Sequence, residues 1–459
     1  MNIWKPRIAA DARYKHQGIA DALQADIAAG LIKPGDALPP QRDIARELGV
    51  DLTTVTRALN EVRQTGLIEA RTGSGTFVKA AQAVSPPTTA MRASELDLSM
   101  NIPPQPADLP ARIANGIAAL LGGGQSSFLS YQETAGTEAS RAAGASWLIP
   151  RFGKAPETDR IIVAGGAQSA LFAVCNLLGA GAIIAAGAAT YPGLKSVAAA
   201  LDLKLHPLAM DECGITPDAF EECCRIDRPN ALYVIPSIDN PTTATMPFER
   251  RRAIAAIADR HHVQVIEDDP YAELLEQPLP ALATLVPDLT WHIATLSKCA
   301  TPALRIAFVA CPSSLDALKL ASSLRASNPG ASPLLAALAT DFIESGTLRR
   351  IALAIRTESR ERQSFAAKIL KDWAYRAEPA GHHLWLSLPQ QWHAGEFSAL
   401  AVRSGIGIVP ASAFSIGPSS VEAVRLSLGA LADRTRVEQG LILLDRLLRE
   451  PKFSPGLIV

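Results

Sequence analysis

Residues 290–310, which read TWHIATLSKCATPALRIAFVA, decide the fold of the larger part of this chain. Two apolar runs in it, His292–Leu296 and Arg305–Ala310, have the length of buried strands, and the loop between them carries Lys298. Comparable apolar runs alternate with helical segments from about residue 160 onward. This alternation predicts an α/β fold, in which helices cover both faces of a mostly parallel sheet.

Composition narrows the class of protein. The 459 residues are 48% apolar and 19% charged, so the chain can bury a large core, and its length suggests about three domains. Because the net charge is −1, the chain as a whole carries no excess of positive charge that would by itself indicate nucleic-acid binding. The six cysteines show no metal-site spacing and no apolar leader follows Met1, so we expect a cytoplasmic protein with reduced thiols and no metal. The apolar run Ala170–Ala189 is broken by glycines, which favours a buried helix and strand over a membrane span.

Residues 1–79 form the first predicted domain. Ile19, Leu23 and Ile27 recur at helical spacing, a short helix follows at Gln41–Leu48, and a third helix begins after Asp51. Two strands around Gly73-Ser74-Gly75 complete a winged helix-turn-helix. The outer face of the third helix carries four polar residues, Thr53, Thr54, Thr56 and Arg57. In such a domain this helix enters the DNA major groove, whereas the alternative is a small helical domain with a solvated polar face.

Three further regions follow. Residues 80–97 are rich in Ala, Ser, Pro and Thr, which predicts a flexible linker. Residues 98–365 carry the βαβ alternation and form the large domain. After about residue 365 the pattern changes to separate strands and helices, so we predict a smaller α+β domain over residues 366–459.

Polar residues at predicted strand ends match the needs of pyridoxal 5'-phosphate (PLP). Ligands in open α/β sheets bind at the carboxyl ends of the strands. Lys298 can form a Schiff base with the aldehyde, and Asp268 can pair with the pyridine nitrogen. Tyr271 and Asn240 can hydrogen-bond the phenolic oxygen. Lys298, Asp268 and Tyr271 are therefore the predicted catalytic residues.

The rest of the predicted pocket holds the phosphate, the ring face and a substrate. The phosphate cup is assigned to hydroxyls, a guanidinium and a helix N-terminus: Thr295, Ser297, Arg305, Gly166, Ala167 and Gln168. Tyr191 can stack on the ring, and Arg425 can grip a carboxylate. Taken singly, Tyr191 and Arg425 also fit purely structural roles.

These motifs make residues 98 to the end resemble fold-type I PLP enzymes of the aspartate aminotransferase superfamily. The resemblance implies that Tyr131 reaches the phosphate of a neighbouring subunit, and hence a homodimer with shared sites. Three positions depart from the family pattern, because Thr243, Ala303 and Ala307 stand where glycines are usual. Each adds a methyl group to tight backbone, which puts transamination in more doubt than PLP binding.

Residues 14–79 resemble the GntR family of DNA-binding domains through LPPQRDIARELGV at 38–50, TVTRAL at 54–59 and GSGTFV at 73–78. The resemblance implies six DNA contacts: Arg42, Thr53, Thr54, Thr56, Arg57 and Gly75.

The two halves together resemble the MocR-type subfamily of GntR regulators. That resemblance implies a head-to-tail homodimer that binds a double-stranded DNA operator. It also implies that the protein senses PLP, or an amino compound, through an aldimine at Lys298, with no physiological turnover required. The alternative is a catalytically active PLP-dependent aminotransferase, because no chemical group that the reaction needs is missing from the sequence.

Overall fold

The chain separates into two compact units, Met1–Met91 and Arg92–Val459. The computed structural model describes residues 4–8, 14–29, 31–33, 35–64, 67–71, 75–78, 96–123, 127–327, 330–417 and 421–450. Most of the predicted linker, residues 80–95, lies outside the described residues, as do Gly73 and Ser74 of the wing. Residues 96 and 97, which we assigned to the linker, instead form a strand of the second unit.

The first unit is a winged helix-turn-helix, as predicted. Its elements are α1 (Lys15–Ala28), α2 (Gln41–Leu48), α3 (Leu52–Gln64), β1 (Ile68–Arg71) and β2 (Gly75–Val78). The two strands pair antiparallel, with Ile68 opposite Val78. Ile19 and Leu23 of α1 are fully buried and share a core with Val55 and Leu59 of α3. The apolar spacing therefore directs the same helix faces inward that the sequence predicted.

The second unit is built on two main sheets and the helices that cover them. Its strands are β3 (Leu96–Asp97), β4 (Ile161–Ala164), β5 (Ile183–Gly187), β6 (Lys204–Leu208), β7 (Met210–Asp211), β8 (Gly214–Ile215), β9 (Ala231–Val234), β10 (Gln264–Asp268), β11 (Thr290–Thr295), β12 (Ala307–Ala310), β13 (Tyr375–Ala377), β14 (His383–Ser387), β15 (Ile406–Gly407), β16 (Val409–Pro410) and β17 (Ala423–Ser427). Its helices are α4 (Leu109–Gly122), α5 (Glu138–Trp147), α6 (Ile149–Phe152), α7 (Ala167–Leu178), α8 (Pro192–Ala200), α9 (Pro217–Ile226), α10 (Phe248–His261), α11 (Ser314–Ser327), α12 (Pro333–Glu344), α13 (Thr347–Ile369), α14 (Ala394–Arg403) and α15 (Arg434–Arg449).

A seven-stranded sheet forms the centre of this unit, in the order β4-β12-β11-β10-β9-β5-β6. Only β12 runs antiparallel to its neighbours among the described strands, so the sheet is mostly parallel. Val265 and Ile266 are adjacent on β10 and point to opposite faces. Val265 packs in a core with Ile254 of α10, whereas Ile266 packs in a core with Leu171 of α7. Helices therefore cover both faces, as the alternating pattern predicted.

The topology also places the strand ends. Because β4, β5, β9, β10 and β11 run in the same direction, their carboxyl ends meet at one edge of the sheet. The antiparallel strand β12 begins at that same edge. The loops that follow five strands and the loop that precedes β12 consequently converge there.

A smaller α+β subdomain is built on a four-stranded sheet with the order β13-β14-β17-β16. Its core includes Leu384, Leu426 and Leu444. Leu98, far away in sequence, is fully buried in the same core, because β3 pairs with β15 of this subdomain. Among the described helices, none combines the length and the apolar composition needed to cross a membrane.

Candidate functional site

One cavity of about 490 Å³ lies at the edge where the strand ends converge. Twelve of the residues that we assigned to the cofactor or the effector line it: Gly166, Ala167, Gln168, Tyr191, Asn240, Asp268, Tyr271, Thr295, Ser297, Lys298, Arg305 and Arg425. Eleven of these lie in the large domain, and Arg425 lies on β17 of the small subdomain. The cavity is therefore shared by both parts of the second unit.

Lys298 follows β11 and its amine is largely enclosed by the cavity walls. Its Nζ donates a hydrogen bond to the backbone carbonyl of Asn101. Burial and the nearby positive charge of Arg425 lower the pKa of Lys298 to about 8, and the charge of Asp268 acts in the opposite direction. An amine with this pKa is uncharged more often than an exposed lysine, which suits a nucleophile.

Asp268 is the last residue of β10, and only one of its oxygens is paired. Oδ2 accepts a hydrogen bond of 2.8 Å from the hydroxyl of Tyr233. Oδ1 is buried, and no partner for it exists among the described residues. Burial raises the pKa of Asp268 to about 6, and the charge of Asp269 adds to this effect, whereas the Tyr233 hydrogen bond opposes it. A buried carboxylate oxygen without a partner is costly, so this atom suits a positively charged N–H donor.

Arg425, Asn240 and Tyr271 line the cavity together. The Nη1 of Arg425 donates to the Oδ1 of Asn240 at 2.9 Å, and its Nη2 donates to the carbonyl of Ser99. Its Nε is buried and has no partner in the described part of the chain. The guanidinium carbon lies 5.0 Å from the ring centre of Phe414. Arg425 is thus held in a fixed position while part of its donor capacity is unused.

Gly166 begins the anion-binding corner of the cavity. It has a φ of 105°, a conformation that favours glycine, and it precedes the first turn of α7. The first backbone N–H groups of a helix have no partner within the helix, so those of Ala167 and Gln168 are suited to an anion. The hydroxyls of Thr295 and Ser297 lie 3.1 Å apart on the same wall as Arg305. This corner has the chemistry of a phosphate cup.

The residues of the first unit that we predicted to contact DNA are also placed by the structure. Arg42 on α2 and Thr53 and Arg57 on α3 are exposed, and Thr54 is half-buried. The hydroxyl of Thr56 lies 2.8 Å from Gln41 Oε1 and 2.9 Å from the carbonyl of Leu52. Thr56 is therefore already hydrogen-bonded within the domain. Gly75, at the start of β2, is exposed and has a φ of 106°.

Comparison with known proteins places both units in one family. Residues 93–442 match the family described as aminotransferase class I and II, and residues 15–78 match the bacterial regulatory proteins of the gntR family. The chain is 33% identical over 448 residues to the uncharacterized HTH-type transcriptional regulator YdeF of Bacillus subtilis, covering 97% of this chain and 96% of that protein. It is 29% identical over 391 residues to the probable rhizopine catabolism regulatory protein MocR of Rhizobium meliloti, covering 78% of each chain. The chain belongs to the MocR-type subfamily of GntR transcriptional regulators.

A solved structure agrees with this MocR-type assignment at the level of the fold. LysN, the alpha-aminoadipate aminotransferase of Thermus thermophilus, superposes with a TM-score of 0.71 at 24% identity. The match covers 77% of this chain and 92% of LysN. The second unit of this MocR-type regulator therefore has the fold-type I aminotransferase architecture that the sequence predicted.

Tyr131 does not line the cavity of its own chain. Its side chain is fully exposed, and it lies directly before Gln132 and Glu133, which line a different hollow of about 390 Å³. A role for Tyr131 in the phosphate site needs a second copy of the chain. That role, and the homodimer, stay predictions for this MocR-type protein.

The structure adds residues that the sequence did not single out. The hydroxyl of Tyr233 donates to Asp268. The carbonyl of Asn101 accepts from Lys298, and its Nδ2 donates to the hydroxyl of Tyr271 at 2.8 Å. Asn101 lies 170 residues from Tyr271, and no local pattern marks it. The only sequence signal for Tyr233 is its position on the strand that precedes Asn240.

His382 and His383 do not line the cavity but lie behind its wall. His382 Nε2 donates to the carbonyl of Lys298 at 2.7 Å, and its Nδ1 accepts from the Ser359 hydroxyl at 3.0 Å. Burial lowers the pKa of His382 to about 4 and that of His383 to about 3, so both rings are neutral at physiological pH. His382 braces the backbone of the lysine loop, whereas the Nε2 of His383 donates to the carbonyl of Asp239 at 3.1 Å.

Thr243 departs from the glycine common in this family, and the structure shows the consequence. Its φ is 64°, in the left-handed region that β-branched residues rarely adopt. The loop after Asn240 thus keeps a glycine-like backbone at an energetic cost of about 1–2 kcal/mol.

Proposed function

We propose that this transcriptional regulator binds PLP in the cavity of its second unit and responds to PLP, or to an amino compound that reaches Lys298. The observation that carries the proposal is the unpaired, buried Oδ1 of Asp268, which shares a cavity with Lys298 and with the anion-binding corner. Bound PLP would supply an aldehyde that reacts with amines and a protonated ring that withdraws electrons.

The residues of this cavity fit the three ends of PLP. Asp268 would pair with the ring nitrogen, and the Tyr233 hydrogen bond keeps that carboxylate available for pairing. Gly166, the first amides of α7 and Arg305 would hold the phosphate. Tyr191 would cover the ring, while Asn240 and Tyr271 would donate to its phenolic oxygen.

Lys298 supplies the reactive amine in this proposal. With a pKa of about 8, about a quarter of the amine is uncharged at pH 7.5, against roughly 0.1% for an ordinary lysine. Burial and the charge of Arg425 lower the pKa of Lys298, whereas the charge of Asp268 raises it. Arg425 would bind the carboxylate of an amino-acid-like effector, because its guanidinium is fixed in place and keeps a free Nε donor.

We also propose that the first unit binds a double-stranded DNA operator through Arg42, Thr53, Thr54, Arg57 and Gly75. A head-to-tail homodimer would present two such units to the operator. Arg42, Thr53, Arg57 and Gly75 are exposed on one helix pair and the wing, and Thr54 is half-buried beside them, which supports this assignment. We place Thr56 in the same set with a supporting role, since its hydroxyl is already bonded to Gln41 and Leu52. Operator binding would require the protein to be in the cytoplasm.

The cofactor assignment is tested by absorbance. Titration of the purified protein with PLP is expected to produce a visible band that Lys298→Ala abolishes. A Lys195→Ala variant is the matched control, because that lysine donates to the carbonyl of Ala413 at 3.1 Å and does not line the cavity. Absence of the band in the parent protein would overturn the proposal for the second unit.

The regulatory assignment needs DNA. Footprinting of the upstream region of the protein's own gene, with and without PLP, is expected to show a protected site whose extent or affinity changes with the ligand. If no site is protected under any condition, the regulatory proposal fails.

An aminotransferase is the second candidate, because the amine, the ring partner and the carboxylate arginine all line one cavity. Turnover of an amino donor with a keto acid, lost in Lys298→Ala, would establish it. A band that shifts on adding an amine but is not restored by a keto acid would instead identify a sensor.

A further inference from the structure

The segment Leu96–Ile102 opens the second unit and ends inside the cavity. Its first residues form β3, paired with β15, and Leu98 is fully buried in the small subdomain. The residues that follow, from Ser99 to Ile102, line the cavity. The GntR match ends at residue 78, so this segment is where the chain that comes from the DNA-binding unit enters the second unit.

Two backbone carbonyls of this segment accept hydrogen bonds from Lys298 and Arg425, two of the three cationic side chains that line the cavity. The Nζ of Lys298 donates to the carbonyl of Asn101, and the Nη2 of Arg425 donates to the carbonyl of Ser99. These are the amine proposed to engage an aldehyde and the guanidinium proposed to grip a carboxylate. A ligand aldehyde that bonds to the Nζ of Lys298 removes that donor from the carbonyl of Asn101, and a ligand carboxylate that takes the Nη2 of Arg425 competes with the carbonyl of Ser99.

The other contacts of the segment lie outside this competition. The side chain of Asn101 accepts from the Ser427 hydroxyl at 3.2 Å and donates to Tyr271 Oη. The nitrogens of Leu96 and Leu98 donate to the carbonyls of Gly405 and Gly407 at 3.2 and 2.8 Å. The anchorage is thus divided between the two carbonyl contacts that ligands compete for and the contacts of the Asn101 side chain and of the short strand, which ligands leave in place.

We propose that Ser99–Asn101 is an internal competitor for Lys298 and Arg425, so that ligand binding loosens Leu96–Ile102 and reports occupancy to the chain that precedes residue 96. This inference rests on the proposed function and adds its regulatory step. Its physical basis is mutual exclusion: PLP and the segment compete for Lys298, and an effector with a carboxylate also competes for Arg425, so the ligand and the segment each weaken the binding of the other.

Hydrogen–deuterium exchange of the peptide that spans residues 96–102 tests the inference. Adding PLP is expected to speed exchange there by about threefold or more, whereas inorganic phosphate is expected to leave it unchanged, since phosphate needs neither Lys298 nor Arg425. Lys298→Met is expected to raise exchange without PLP and to remove the response to it. The matched Lys195→Met variant is expected to behave like the parent.

A second variant probes the competition from the other side. Ser427→Ala removes a buried contact of Asn101 that does not line the cavity, and weakening the competitor is expected to tighten PLP binding by about threefold. Thermal melting checks that Lys298→Met and Ser427→Ala are folded. If Lys298→Met does not fold, the comparison between PLP and phosphate decides the matter alone.

The outcomes separate this inference from the proposed function. A visible PLP band with unchanged or slower exchange at residues 96–102 would overturn the competitor and leave the PLP assignment standing. Absence of a band would overturn both, because the ligand on which the competition depends would not bind.

Discussion

Replacing Tyr233 with phenylalanine is expected to weaken PLP binding near neutral pH while leaving it nearly unchanged in alkali. The Tyr233 hydroxyl donates to Asp268 Oδ2 at 2.8 Å, and both residues are buried. A hydrogen bond to a buried charged group contributes about 1.5–3 kcal/mol, which corresponds to roughly 1–2 pKa units. Tyr233→Phe should therefore raise the pKa of Asp268 from about 6 to roughly 7–8.

The loss of PLP affinity follows from the share of ionised carboxylate. At pH 7 the parent Asp268 is about 90% ionised, whereas the variant is roughly 10–50% ionised. PLP affinity at pH 7 should then fall about twofold to tenfold, and at pH 9 by less than about twofold, because the carboxylate is ionised in both proteins. Since the ionised form is the one that pairs with the ring nitrogen, affinity is lost as the pH falls through the pKa.

The assay is a PLP titration followed by absorbance at pH 7 and pH 9, with parent and variant compared at each pH so that the titration of Lys298 and of PLP itself cancels. Tyr375→Phe is the control, since Tyr375 lies on β13 outside the cavity. An affinity ratio of one at pH 7, or a ratio that does not change with pH, would refute the role given to the Tyr233–Asp268 pair.

Three further predictions concern DNA binding, stability and backbone strain. Arg57→Ala should weaken operator binding by about 1–3 kcal/mol in an electrophoretic shift assay, whereas Arg46→Ala, which removes an exposed arginine already paired with an acidic neighbour, should change it little; equal effects would argue against recognition through α3. Arg151→Met should lower the free energy of unfolding by about 3–5 kcal/mol, and the thermal midpoint with it, because Asp269 would lose its buried partner at 2.6 Å. Adding Asp269→Asn should restore part of the loss. Thr243→Gly should raise the thermal midpoint by about 1–2 °C, since glycine adopts a φ of 64° without strain, and a lower midpoint would show that the methyl group packs productively.

The strands and helices could be predicted from the sequence because buried segments carry a characteristic local pattern of apolar residues. A run such as Ile161–Ala164 is apolar because both of its faces are covered, and its length separates it from a helix. Once strands are known to be parallel, their carboxyl ends must share an edge. That geometric rule is why Lys298, Asp268 and Asn240, up to 58 positions apart, were expected in one place.

The limits of sequence interpretation appear at Asn101 and Arg151. Arg151 pairs with Asp269, 118 residues away, and an arginine within a short helix has no local feature that distinguishes it from a solvated one. The predicted linker also ended too late, because Leu96–Asp97 is polar enough to resemble the linker and becomes a strand only by pairing with Ile406–Gly407. Strand pairing of this kind depends on the partner, so a two-residue strand leaves no periodicity to detect.

By itself, therefore, the sequence determined the two-part architecture and predicted most of the side chains around the cavity, because periodicity and motif spacing are local properties of the chain. Only the tertiary structure decided which carbonyls hold Lys298 and Arg425, which oxygen of Asp268 lacks a partner, and that the entry segment of the second unit reaches the cavity. Those features depend on distances of a few ångströms between residues remote in the chain, and such distances exist only once the sheet and the small subdomain have packed together.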